Sequence, residues 1–128
     1  MTEKITILMR GNKKQRFKKS AIRLEDMIEK EAPDMYEFIY GVDEEDIIVQ
    51  VDKCRPEIVF IGQDDLELLK KIKQLHTLVA VFVFMLDILD DEQEAIDKYM
   101  AYGAYKCCLP PLMIDTLVHD MHVALNLE

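Results

Sequence analysis

Apolar residues fall into five short runs, separated by stretches in which they recur every third or fourth position. Ile5 to Met9 is the first run; after Gly11-Asn12 come Phe17, Ala21, Leu24 and Ile28, about one helical turn apart. This spacing predicts a strand, a loop and a helix. Glu37 to Val42 predicts a second strand, and Asp43-Glu44-Glu45 supplies an N-cap and an acidic first turn for a helix through about Lys53. Pro56 breaks the chain before Ile58 to Ile61, which is apolar throughout, as expected of a central strand covered on both faces. Leu66 to Gln74 predicts a helix through Leu66, Leu69 and Ile72, and Leu78 to Met85 predicts the most hydrophobic strand. Asp91 to Tyr102 predicts a helix that Gly103 closes in a left-handed turn. Lys106 to Leu109 is a fifth short strand, Pro110-Pro111 forces a break, and Ile114, Leu117, Val118, Met121 and Leu125 form the stripe of a last helix. Five strand–helix units predict an α/β fold with a parallel sheet between two helical layers. Ligand chemistry is then expected at the strand carboxyl ends, just after Met9, Ile61 and Met85.

With 128 residues, 50% of them hydrophobic, the chain predicts one domain spanning residues 1–128 with a core of its own. Charge adds an asymmetry. Residues 1–23 hold eight of the 16 Lys and Arg and one acid, a balance of +7; residues 24–128 hold the other eight against 24 acids, a balance of -16. Such a surface repels nucleic acid and anionic membrane, so neither is expected as a partner. Cys54, Cys107 and Cys108 are odd in number, with two adjacent, which fits a reduced, cytoplasmic protein better than a disulfide framework. The longest apolar run, Leu78 to Leu86, is too short to cross a bilayer, and no signal-peptide pattern opens the chain.

The strand ends carry no nucleophile and base pair. The loops read Met9 to Arg16, Gly62 to Asp65 and Leu86 to Asp91, without Ser, Cys or His. His76 falls in a connecting loop; His119 and His122, three apart on the last helix, are expected on a solvated helix surface, since two ligands do not make a metal site. Gly11 stands alone, so no glycine-rich phosphate loop exists. The basic run Lys13, Lys14, Arg16, Lys18 and Lys19 reads either as a solvated helix start or, with Arg10, as an anion site. Asp64-Asp65 and Asp90-Asp91 each precede a helix, and helix capping accounts for them better than cation binding. Cys107 and Cys108 point to opposite faces of their strand, as small buried hydrophobes, and the eight methionines read as packing residues.

Two segments, Arg55 to Leu69 (RPEIVFIGQDDLELL) and Tyr102 to Leu112 (YGAYKCCLPPL), resemble the receiver domain of two-component response regulators. Pro56-Glu57 resembles the family's "PD" before the third strand, Gly103-Ala104 its "GA" before the fifth, and Pro111 the proline after its lysine. The order of elements matches over nearly the whole chain. The resemblance implies a flavodoxin-like (βα)5 three-layer sandwich whose five-stranded parallel sheet has the order 2-1-3-4-5. An active receiver carries an acidic pair after the first strand for magnesium, an aspartate ending the third to accept phosphate, Thr or Ser after the fourth, and lysine after the fifth; cation and lysine neutralise the transferring group. The matching positions here read Met9 and Arg10, Gly62, a residue near Met85 or Ile88, and Pro110. Each departs from the pattern.

The resemblance therefore implies a pseudo-receiver, neither an enzyme nor a cofactor carrier, regulating through protein contacts in signalling. In the family the fourth helix, fifth strand and fifth helix form the usual docking and dimerisation face. Here that face is expected to carry Tyr99, Tyr102, Tyr105, Lys106, Leu112, Asp115 and His119, with tyrosines as anchors, for a protein partner or a second copy of the chain. Two alternatives stay open: a sensor whose Arg10, Lys13, Lys14 and Arg16 bind a small anion at the old pocket, Arg10 also being able to neutralise Asp64, Asp65 or Asp87, and an atypical active receiver using Asp64 or Asp65. A ligand site predicts an accessible cleft near Arg10 and Gly62, a locked scaffold one filled by Met9 or Met85.

Overall fold

The computed structural model describes residues 4–10, 24–62, 65–85, 92–109 and 112–126, Arg10 by its backbone alone. Strands form where β-branched and aromatic residues concentrate: β1 (Ile5–Arg10), β2 (Tyr36–Gly41), β3 (Ile58–Gly62), β4 (Ala80–Phe84) and β5 (Lys106–Cys108). Helices occupy the stretches between and after them: α1 (residues 24–31), α2 (Glu44–Cys54), α3 (Leu66–Leu75), α4 (Glu92–Ala101) and α5 (Ile114–Ala124). The sheet order is β2-β1-β3-β4-β5 and every neighbouring pair is parallel. This is the flavodoxin-like order expected from the sequence.

Side chains alternate across the sheet and so divide into two cores. Ile7, Ile58, Phe60 and Phe82 face one layer, where Leu24 and Ile28 of α1 and Leu117, Val118 and Met121 of α5 cover them. Leu8, Val59, Ile61, Val81 and Val83 face the other, under Ile47 and Val51 of α2, Leu68, Leu69 and Ile72 of α3, and Tyr99 of α4. Because both faces are covered, β4 is buried at all five positions, which explains its unbroken apolar run. Phe60 meets Phe82 and Phe84 edge-on, with centroids 5.8 and 5.0 Å apart, the geometry that the ring quadrupoles favour. Among the described residues, no helix is long and apolar enough to cross a membrane.

Local chemistry sets the boundaries. The expected N-cap of α2 is present: Asp43 Oδ1 accepts from the Asp46 N–H, and Asp46 Oδ2 accepts from the Val42 N–H, both at 2.9 Å. At the far end Arg55 takes a left-handed conformation, φ +48°. Gly103 closes the turn after α4 at φ +103°, as expected. The β4 strand begins two residues later than its apolar run, because Lys73 Nζ donates to the carbonyls of Thr77 and Val79 and fixes a turn there. Leu78 is consequently outside the sheet and 90% exposed. His122 also departs from expectation: it is half-buried, its ring stacked on Tyr36 at 6.0 Å, rather than on a solvated helix surface.

Gly41, at the end of β2, packs directly under α2; a Cβ there would lie 2.8 Å from Ile47 Cγ1 and 3.1 Å from Ile47 Cα. Since a backbone atom is also close, side-chain rotation alone relieves only part of the overlap. Gly41→Ala is expected to destabilise the fold by about 1–3 kcal/mol, read as a lowered urea midpoint, and adding Ile47→Val is expected to recover less than the whole loss.

Candidate functional site

At the carboxyl end of the sheet, β1 ends at Arg10, β3 at Gly62 and β4 at Phe84, with Gly62 directly opposite Phe84 in the register. Met85 follows, and its N–H donates to the Cys108 carbonyl at 2.9 Å, drawing the end of β5 against that of β4. Met9 and Met85 are both buried, but they belong to different layers, Met9 to the core under α1 and α5, Met85 to the core under α2, α3 and α4. They therefore fill the two cores instead of meeting in one strand-end cleft. Lys13, Lys14, Arg16, Lys18, Lys19, Asp64, Asp87, Ile88, Asp90, Asp91 and Pro110 lie outside the described residues, as does the side chain of Arg10.

Asp65 corrects the capping expectation. It occupies the N-cap position of α3 but makes no side-chain cap bond to the helix. Its Oδ2 instead accepts from the Gly62 N–H at 2.9 Å, while its own N–H donates to the Gly62 carbonyl at 3.2 Å. Asp65 is the one buried charged residue among those described, so a carboxylate rests against the last residue of β3. No group of three or more His, Cys, Asp or Glu able to hold a metal occurs among the described residues.

The expected docking face resolves into buried and exposed members. Tyr99 is only 4% exposed and packs in the core under α4, so it is not a surface anchor; Tyr102 lies just beyond the end of the helix at Ala101 and is 46% exposed. Tyr105 is exposed too, with its ring 5.3 Å from that of Phe82. Lys106 of β5 pairs with Asp120 of α5. Leu112 is half-buried against the first core, Asp115 is exposed with its carboxylate accepting from the Thr116 N–H, and His119 is exposed on α5.

Between β5 and the start of α5 the surface sinks into an apolar groove of about 250 Å³ whose lining includes Cys107, Leu109, Leu112, Met113 and Thr116, with Lys106 and Asp120 also among its walls. Met113, 58% exposed, and Leu109 stand at its opening. Sequence reasoning missed Leu109, Met113 and Asp120. A signal existed in two apolar residues flanking the Pro110-Pro111 break, outside both the strand and the helical stripe.

These features occur on a scaffold that many solved structures share. A two-component response regulator from Clostridium difficile superposes with a TM-score of 0.76 at 17% identity, over 96% of this chain and 97% of that one. The chain has the receiver-domain fold. A putative response regulator from Chloroflexus aurantiacus gives a TM-score of 0.77 at 16% identity, covering 97% and 99%, and the signal receiver domain of a putative Luxo repressor protein from Vibrio parahaemolyticus gives 0.79 at 13%, covering 97% and 92%. At the level of sequence, no protein-family model and no curated protein matches the chain.

Two cysteines join this receiver fold to its groove. Burial pushes the Cys108 thiol up to about 12, against the opposing field of Lys106, and burial also raises Cys107. Both thiols are thus held neutral, whereas Cys54 is exposed. In the native state a thiol reagent is expected to modify Cys54 fastest, half-buried Cys107 more slowly and Cys108 only after denaturation; fast native labelling at Cys108 contradicts the packing. The same shift sets a pH dependence. An unfolded thiol ionises near 9.0 and folded Cys108 near 12, so the stabilisation is present below the first value and lost as pH rises toward the second. Burial of Tyr36, raised to about 12, acts in the same direction. The urea midpoint is expected to fall as pH rises from ~9 toward ~12, and less steeply in Cys108→Ala.

Proposed function

We propose that this receiver-fold chain is a signalling module that takes no phosphate and acts through protein contacts at the β5–α5 face. The observation that carries the reading is Gly62: it closes β3 at the position where the receiver resemblance puts the acceptor aspartate, and glycine has no side chain to form an acyl phosphate. Met9, at one of the metal-ligand positions, is buried in the core and brings no oxygen ligand. The names of the fold's relatives, response regulator and signal receiver domain, support a regulatory role in two-component signalling.

The partner surface is the apolar groove with Tyr105, Leu109 and Met113 exposed beside it. Large, half-exposed side chains next to a concave apolar surface are the usual anchors of a protein contact, because desolvating them costs little and buries much. A second copy of the chain or a different protein fits this chemistry. A second reading, an atypical phosphoacceptor, draws on Asp65, whose carboxylate lies against Gly62.

Amide NMR spectra with magnesium and beryllofluoride separate the two. Unchanged spectra are expected; shifts centred on Gly62 and Asp65 would establish Asp65 as an acceptor and remove the proposal. For the contact itself, Tyr105→Ala and Met113→Ala are each expected to weaken self-association or partner binding about tenfold or more (~1–2 kcal/mol), measured by sedimentation or calorimetry, with circular dichroism unchanged.

A further inference from the structure

The opposite end of the sheet, at the amino ends of β3, β4 and β5, carries a surface that neither the carboxyl strand ends nor the β5–α5 groove uses. Leu78 stands in the turn before β4 and is 90% exposed, and Leu75, at the end of α3, and Tyr102, just past α4, are exposed beside it. Their connection is direct. Arg55 Nη1 donates to the Leu75 carbonyl at 3.2 Å, and Lys73 Nζ donates to the carbonyls of Thr77 at 2.6 Å and Val79 at 2.9 Å, one on each side of Leu78. Lys73 also lies beneath Gly103, its Cε 3.2 Å from where a Cβ would be, and Lys70 Nζ sits 4.3 Å above the Tyr102 ring.

Charge makes this patch unusual on an acidic molecule. The chain carries a net -9, yet among the described residues neither Arg55 nor Lys73 pairs with a carboxylate; each is hydrogen-bonded to main-chain carbonyls instead. Burial lowers the Lys73 pKa, which is the direction taken when no anion compensates a partly desolvated cation. Arg55 also holds a left-handed conformation, φ +48°, that glycine would adopt without strain. The exposed apolar residues with two cations between them, neither paired with a described carboxylate, have the opposite sign to the chain's net charge and so attract acidic groups.

We infer that this α3–β4 end is a second docking surface, for an acidic amphipathic segment of a protein partner whose carboxylates meet Arg55 and Lys73 while its aliphatic side chains cover Leu75, Leu78 and Tyr102. It is independent of the β5–α5 contact. An anionic lipid surface shares part of this chemistry, but the remaining acidic surface opposes close approach to one.

The test is selection of random twelve-residue peptides displayed on phage against the full chain, followed by binding measurements on the enriched peptides. Enriched sequences are expected to combine two or more Asp or Glu with Leu, Ile or Phe. Their affinity is expected to drop at least tenfold in Leu78→Asp and in Arg55→Glu, both at exposed positions, and to stay unchanged in Met113→Ala. Enriched peptides without acids, affinities indifferent to Leu78→Asp, loss only in Met113→Ala, or no enrichment over a Leu78→Asp control would overturn the inference. So would saturable binding to phosphatidylserine vesicles with no acidic peptide selected. Circular dichroism of each variant separates loss of contact from loss of fold, and the Met113→Ala arm separates failure here from failure of the β5–α5 reading.

Discussion

The pairing of β3 with β4 runs in register from Ile58 and Ala80 to Gly62 and Phe84, and both helical layers rest on it. Every side chain of β4 is buried, so this pair is the plane from which the two cores grow: Phe60 and Phe82 organise one, Val59, Ile61, Val81 and Val83 the other. A parallel sheet of this kind has to be covered on both faces, which places α1 and α5 on one side and α2, α3 and α4 on the other. The position of each strand end then follows, and with it the geometry of both candidate surfaces.

One consequence is an economy of exposed chemistry at the carboxyl end. Met9, near the end of β1, and Met85, just after β4, are absorbed by the cores, and the Asp65 carboxylate is turned back onto the Gly62 amide. Among the described residues, an apolar groove lies toward the sheet edge. There β5 spans three residues, and a short strand with α5 set back from it leaves a groove that side chains of the sheet do not fill. The Lys106–Asp120 pair ties β5 to α5 beside it.

The Lys73 ammonium shows how a turn can be decided by one side chain. Its two carbonyl bonds hold Thr77 and Val79 together, delay β4, and hold Leu78 outside the core despite an apolar run that continues through it. Arg55 does related work from the previous connection by reaching the Leu75 carbonyl. Two cations thus organise the amino end of the sheet through main-chain contacts while their charge stays uncompensated by any described carboxylate.

Sequence alone determined the strand and helix order, the two-sided burial of β3 and β4, the Asp43 cap, the Gly103 turn and the opposite facing of Cys107 and Cys108, because these follow from side-chain periodicity and local backbone preference; Cys108 is buried as expected, whereas Cys107 is half-buried at the groove. It also identified glycine, Gly62, as the residue that closes β3. Only the tertiary structure decided that Tyr99 faces the core, that His122 stacks on Tyr36, that Asp65 turns to Gly62 instead of capping α3, and that Leu109 and Met113 flank a groove. Each of these depends on which element lies opposite in space, through contacts between residues distant along the chain or through the rotation of a helix by part of a turn. Periodicity gives the face of an element; packing against its neighbours decides what that face meets.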